Sequence, residues 1–290
     1  VLSWYLPNTE RHRLIESGRP APQNGTKSVD RFSRSDIDGL QTWLKGGIGS
    51  SHGHADLGHV SARIADKWLL EDPGTGTYNG RIEIRNGFRT SQAHNVLRIG
   101  NEDQLGPHRA FRWQRAPWAQ TGVPLEMAAD VHVLWSVNNA YSTLPGVARS
   151  LRAVVASGSG LVVVDWTEAA GSFDFSLTIP IAAESRCFAE TVQISHGSPT
   201  LVEWQEAPWR GWHSDTYGQW EPAPWIIVEG NAQGPVWWSI GSVAEVSATG
   251  DTVRIGDLTL LAEWHPQAAH LHAKLDQGDP LIGVVRGPGR

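Results

Sequence analysis

The sequence predicts an all-β protein built as a large antiparallel β-sandwich, and three observations carry that prediction. From Phe111 onward apolar and polar residues alternate with the period of a strand, as in Val131-His132-Val133-Leu134-Trp135 and Phe173-Asp174-Phe175-Ser176-Leu177-Thr178-Ile179. Two short apolar runs, Leu161 to Trp166 and Val236 to Ile240, read as further strands. Turn-forming clusters punctuate the region at Ser157-Gly158-Ser159-Gly160, Glu229-Gly230-Asn231 and Thr249-Gly250-Asp251. There is no alternation of strands with helices, no helical pattern beyond one or two turns, and no internal repeat.

Taken in order, residues 1–28 carry Pro7, Gly18, Pro20, Pro22 and Gly25 among many charges. They read as a linker or the tail of a preceding domain, with residues 29–290 as one domain. Ser28 to Ser33 and Leu40 to Lys45 are expected as two strands around the turn Asp36-Ile37-Asp38-Gly39. A His-rich loop follows. Val60 to Glu71 reads as a hairpin turning at Ala65-Asp66-Lys67 and stopped by Asp72-Pro73-Gly74. Arg81 to Thr90 is expected to hold a short helical turn, and Ala93 to Ile99 another strand. Trp204 to Trp225 holds five tryptophans among prolines and glycines and reads as a long loop. Those rings either plug a sandwich edge or present a sugar-stacking surface.

Composition narrows the function classes. With 40% hydrophobic and 19% charged residues in 290, the chain can bury a sizeable core. A formal net charge of -6 argues against a general nucleic-acid binder. Cys187 is the only cysteine, so no intrachain disulfide can form. No apolar run is long enough to span a bilayer, and Val1 to Pro7 does not read as a signal peptide. The start at Val1 suits a piece of a longer protein.

The chemistry concentrates around Ser50-Ser51-His52-Gly53-His54-Ala55-Asp56, which follows Gly46-Gly47-Ile48-Gly49. In an extended backbone, His52, His54 and Asp56 would share one face. Polar, ligand-capable groups on one face suit a metal or proton-transfer site. Asp72 ends the hairpin and His94 begins the next expected strand, so both can converge with His54. Two histidines and one carboxylate are a common zinc set. Between Arg81 and Arg115 lie seven arginines, three acids and no lysine. Such a basic patch, Arg89 included, suits an anionic substrate, because guanidinium grips carboxylate and sulfate in bidentate fashion.

These residues resemble a known family. His52-Gly53-His54-Ala55-Asp56, Asp72-Pro73-Gly74-Thr75-Gly76-Thr77-Tyr78 and Phe88-Arg89-Thr90-Ser91-Gln92-Ala93-His94-Asn95 are similar, in order and spacing, to the heparinase II/III-like polysaccharide lyases. The resemblance runs from about residue 30 onward. It implies the large C-terminal β-sandwich (supersandwich-like) domain of that family, without the N-terminal α/α toroid that precedes it. It implies that His52 is the catalytic histidine and that His54, Asp72 and His94 bind a structural zinc. It implies β-elimination on an anionic uronic-acid polysaccharide, with a tyrosine and a carboxylate neutraliser supplied by the toroid. Substrates of that class lie outside the cytoplasm, so a periplasmic or secreted location is expected. The family often has a tyrosine where this chain has Gly76, and Tyr78 is the nearby substitute for that substrate contact. Two rivals remain. A metallo-β-lactamase-like hydrolase would need His-x-His-x-Asp-His, but Leu57 stands at the last position. A non-catalytic, zinc-stapled carbohydrate-binding sandwich would use the tryptophans as its platform.

Overall fold

A seven-stranded antiparallel sheet forms the middle layer of the molecule. Its main path runs Leu125–Ala128, Val131–Asn138, Val147–Ser157, Gly160–Ala169, Val236–Gly241 and Gln193–Ile194, with Ala119–Thr121 pairing alongside Val131–Asn138. The computed structural model describes residues 24–29, 31–47, 53–109 and 111–288. Both faces of the middle sheet are buried, which explains the unbroken apolar runs in the sequence. Leu134, Val154, Ala156, Leu161 and Val163 join one core, whereas Val133, Trp135, Val155, Val162 and Val164 join the other. Neighbouring side chains on a strand point to opposite faces, so each strand serves two cores.

On one side lie two sheets. The first is a meander of β1 (Gly25–Val29), β2 (Phe32–Ile37), β3 (Leu40–Lys45), β4 (Val60–Ile64) and β5 (Lys67–Leu70). The second has the order Thr200–Val202, Trp225–Ala232, Phe173–Pro180, Arg98–Ile99. Ile37, Leu40, Val60, Leu70, Phe175, Leu177, Ile226 and Val228 bring both sheets into the first core. On the other side, five strands from Val246 to Arg286 cover the second core with Val253, Leu260, Leu271 and Val285. The sandwich fold expected from the sequence is the one observed. Flanking helices are scarce: the described residues hold one α-helix, α1 (Ile82–Arg89), so the hydrolase rival lacks its scaffold.

Several expectations need correction. Ser28 to Ser33 is not one strand but the end of β1 and the start of β2, so the boundary drawn at residue 28 falls inside β1. Glu229-Gly230-Asn231 is no turn. It lies within Trp225–Ala232, where eight cross-strand pairs with Phe173–Pro180 override the local turn tendency. Ala93 to Ile99 pairs only at Arg98–Ile99, because Ser91–Ala93 winds into a 3-10 turn. Trp204 to Trp225 is not one loop: two small ladders form within it, Gln205–Glu206 with Trp209–Arg210 and Trp212–His213 with Glu221–Pro222. Trp209 stacks on Trp212 at 4.8 Å and meets Phe88 of α1, while Trp225 is fully buried. Most of these rings therefore plug the fold; Trp204 alone of the five is largely exposed.

One buried ion pair ties the middle sheet to the loops above it. Arg152 Nε donates to Asp165 Oδ1 at 2.8 Å, and Nη2 to Oδ2 at 2.6 Å, across neighbouring strands. The remaining Nη1 donates to the carbonyls of Gly58, at 2.8 Å, and Asn95. Asn95 in turn brackets Val60, accepting from its N–H and donating to its carbonyl, each at 2.7 Å. Removing one partner of a buried pair strands the other charge. Arg152→Ala should therefore cost about 3–5 kcal/mol, read as a lower urea midpoint, and unchanged stability would refute this anchoring role.

Candidate metal centre

The His54 loop is held by neighbouring side chains together with a few backbone bonds, among them Gly58 N–H to the Lys45 carbonyl of β3 at 2.6 Å. Ala55 N–H donates to the Arg89 carbonyl at 2.9 Å, and Ser91 Oγ donates to the Ala55 carbonyl at 2.8 Å. Gln104 closes a pair with Leu57, accepting from its N–H at 2.8 Å and donating to its carbonyl at 2.9 Å. Asp56 is taken up by Lys45 Nζ, which bonds both carboxylate oxygens. Buried backbone groups need such partners, and here the segment from α1 to Gln104 provides them.

The second loop, residues 72–78, leaves β5 and lies along residues 213–218. Ser214 N–H donates to the Pro73 carbonyl at 2.9 Å and Gly218 N–H to the Gly76 carbonyl at 2.7 Å. Two glycines are required there. Gly74 has φ +82°, and a Cβ on it would stand 2.0 Å from the Ser214 carbonyl oxygen. Gly76 has φ +63°, and its Cβ would stand 2.4 Å from the Phe88 ring. The position that often carries tyrosine in the resembled family thus has no room for a side chain in this chain.

These two loops and the turn after α1 bring His54, Asp72 and His94 together. His54 Nδ1 is 3.2 Å from His94 Nε2. Asp72 Oδ2 is 3.4 Å from His94 Nε2, and Asp72 Oδ1 is 3.9 Å from His54 Nδ1. Donors around a tetrahedral ion with bonds of about 2.0–2.2 Å stand roughly 3.3–3.6 Å apart. The observed 3.2, 3.4 and 3.9 Å straddle that range, so small side-chain shifts would close the three donors on a zinc ion. The His94 tautomer fits as well: Nδ1 lies 2.9 Å from the Thr90 carbonyl, which can only accept, so the proton sits there and Nε2 faces the cluster. Asp72 Oδ1 also accepts from Gly74 N–H at 2.9 Å, which fixes the carboxylate. Asp56 lies within the cluster's 4.8 Å reach, but its charge is spent on Lys45.

The electrostatics point the same way. Burial lowers the His54 pKa to about 4, so its ring is neutral and can offer a lone pair. Burial opposes charge on His94 and on Asp72 too, yet their ion pair outweighs it: His94 is raised and Asp72 is held well below the usual carboxylate range. The cluster thus favours one positive charge against Asp72, which a proton on His94 or a bound cation can supply.

The remaining expected site residues divide. His52 lies outside the described residues. Tyr78 is exposed, stacked on Tyr217 at 5.7 Å and tilted against Phe111 at 5.9 Å. Arg89, expected as a substrate contact, is turned inward instead. It is buried, donates to Asn86 Oδ1 at 3.1 Å and the Arg109 carbonyl at 2.9 Å, and lies over Trp113 at 4.2 Å. Helix α1 carries both Arg85 and Arg89 on its buried side, so periodicity removes them from the basic patch. Arg98 and Arg115 bind backbone carbonyls, whereas Arg109 and Arg112 are exposed. Sequence reasoning missed His59, which is buried with its ring 5.3 Å from His94, and whose pKa burial lowers to about 3. It also missed Tyr217 and the neighbouring group of His213 with Asp215, at 3.1 Å, and Glu71, at 3.8 Å. His213 and Asp215 are near neighbours in sequence, but only packing brings them to Glu71 and brings His59 against His94.

Comparison with known proteins bears on the family and the fold. The sequence matches the family described as heparinase II/III-like, C-terminal, over residues 44–249. No curated protein sequence matches the chain. Among solved structures, a heparinase III described as the BT4657 gene product aligns with a TM-score of 0.58 at 15% identity, covering 96% of this chain and 45% of that one. Heparan sulfate lyase HepC from Pedobacter heparinus aligns with a TM-score of 0.57 at 15% identity, covering 98% and 46%. At such identities the likeness is one of fold, and this chain spans under half the length of either structure.

The tight packing of loop 72–78 is directly testable. In Gly76→Ala, left-handed backbone and collision with Phe88 together should cost about 2–4 kcal/mol. Chemical denaturation measures this, and a wild-type midpoint would show that the loop yields freely.

Proposed function

The chain belongs to the heparinase II/III-like family as its C-terminal domain, and from that premise we propose that it is the β-sandwich part of a polysaccharide lyase. The reading is carried by the convergence of His54, Asp72 and His94, whose donor atoms lie 3.2 to 3.9 Å apart. Those three residues would hold a zinc ion whose contribution is to fix the loop. His52, two residues before His54 in sequence, then serves as the acid–base group. The substrate is an anionic, uronic-acid-containing polysaccharide cut by β-elimination. A base takes the proton from C5, the uronate carboxylate is neutralised, and an acid protonates the departing O4. Tyr78 and Tyr217 offer aromatic faces to the sugar, and the exposed Arg109 and Arg112 offer charge to its anionic groups. The tyrosine and the carboxylate neutraliser of the elimination come from a preceding α/α toroid. A periplasmic or secreted location follows from the substrate class.

A second reading has its own support. The exposed Tyr78–Tyr217 stack would also suit a non-catalytic, zinc-stapled carbohydrate-binding sandwich. Two variants separate the readings. His54→Ala should lose one equivalent of zinc by elemental analysis. His52→Ala, in a protein carrying the toroid, should keep its zinc and lower formation of ultraviolet-absorbing unsaturated uronide by about 10²–10⁴-fold. Zinc lost from the His52 variant would overturn the division of roles. Zinc retained with no elimination in the wild-type protein would leave the carbohydrate-binding reading.

A further inference from the structure

The outer face of the C-terminal sheet carries a side-chain cluster separate from the His54 loop. Strands Leu258–His265 and Ala268–Leu275 form a hairpin in which Glu263 stands opposite His270 and Leu261 opposite His272. Leu258, Leu260, Ala262, Ala269, Leu271 and Ala273 point into the second core. The strand period of two therefore sends Glu263, His265, His270 and His272 together to the solvent face.

Their geometry is that of a ligand set. His265 Nε2 is 3.6 Å from Glu263 Oε2, and the His265 and His270 ring centroids are 4.2 Å apart. One donor atom from each of Glu263, His265 and His270 lies within 4.8 Å of the other two. His272 Nε2 meets Glu263 Oε2 at 2.9 Å. The His270 ring contacts only the other two rings among these groups, and among the described residues neither of its nitrogens has a hydrogen-bond partner. On the next strand, Val284 stands opposite His270 and Ile282 opposite His272, placing apolar side chains beside the polar group.

We propose that Glu263, His265 and His270 bind a divalent transition-metal ion of the zinc class, with His272 holding the carboxylate in position. Imidazole and carboxylate together suit zinc, copper or nickel better than calcium or magnesium. Three protein donors leave a position for water, so the ion is exchangeable. Bound there, it clamps two strands whose register is already set by the hairpin. The site is independent of the proposed lyase chemistry and of the His54 cluster.

The test is a calorimetric titration of the metal-stripped 290-residue chain with Zn²⁺. The double variant H265A/H270A should bind one equivalent fewer than the wild type. Both positions face solvent, so the core is untouched, and circular dichroism checks that the variant is folded. His272→Ala should keep the stoichiometry with about 10–100-fold weaker affinity, as expected for loss of a group that orients a ligand. Equal stoichiometry in the wild type and the double variant overturns the proposal. His54→Ala removes a different equivalent, so either site can fail without the other.

Discussion

The buried Arg152–Asp165 pair is the constraint on which the functional end of this molecule depends. Each charge alone would be costly in the core, and together they satisfy each other in a bidentate pair between two strands of the middle sheet. The guanidinium has donors left over, and these hold the carbonyls of Gly58 and Asn95. Gly58 closes the loop that bears His54, and Asn95 follows His94 directly. One side chain thus connects the middle sheet to the segments that carry His54 and His94.

The loops around that centre follow the same logic. Strands supply little backbone pairing there, so polar side chains supply it: Ser91 for Ala55, Gln104 for Leu57, Asn95 for Val60. Loop 72–78 is held from the other side by residues 213–218 and allows no side chain at Gly74 or Gly76. Donors mounted this way are positioned by hydrogen bonds and packing of the chain itself. The zinc proposed there would reinforce a geometry already present.

The two His-rich clusters are built by different means. The outer-face group arises from a hairpin alone, through alternation and register. The His54 group joins residues 54, 72 and 94 from three loops, and it exists only because the first core packs the meander against the middle sheet. The first is local and open to solvent, and the second is enclosed by tertiary contacts.

Local patterning in the sequence was enough for the sandwich class and the hairpin of β4 and β5, because period-two alternation and breaker residues are local properties, and donor chemistry alone marked His54, Asp72 and His94 as candidates. Tertiary structure alone decided the rest. Glu229-Gly230-Asn231 became strand because its neighbour pairs through it. Arg89 turned inward because α1 buries that side against Trp113 and the Arg109 carbonyl. His59 and Tyr217 reached the neighbourhood of the metal centre only through packing between segments far apart in the chain. Which side chains meet across sheets depends on burial and on the pairing of distant backbone, and neither is written in any single stretch of residues.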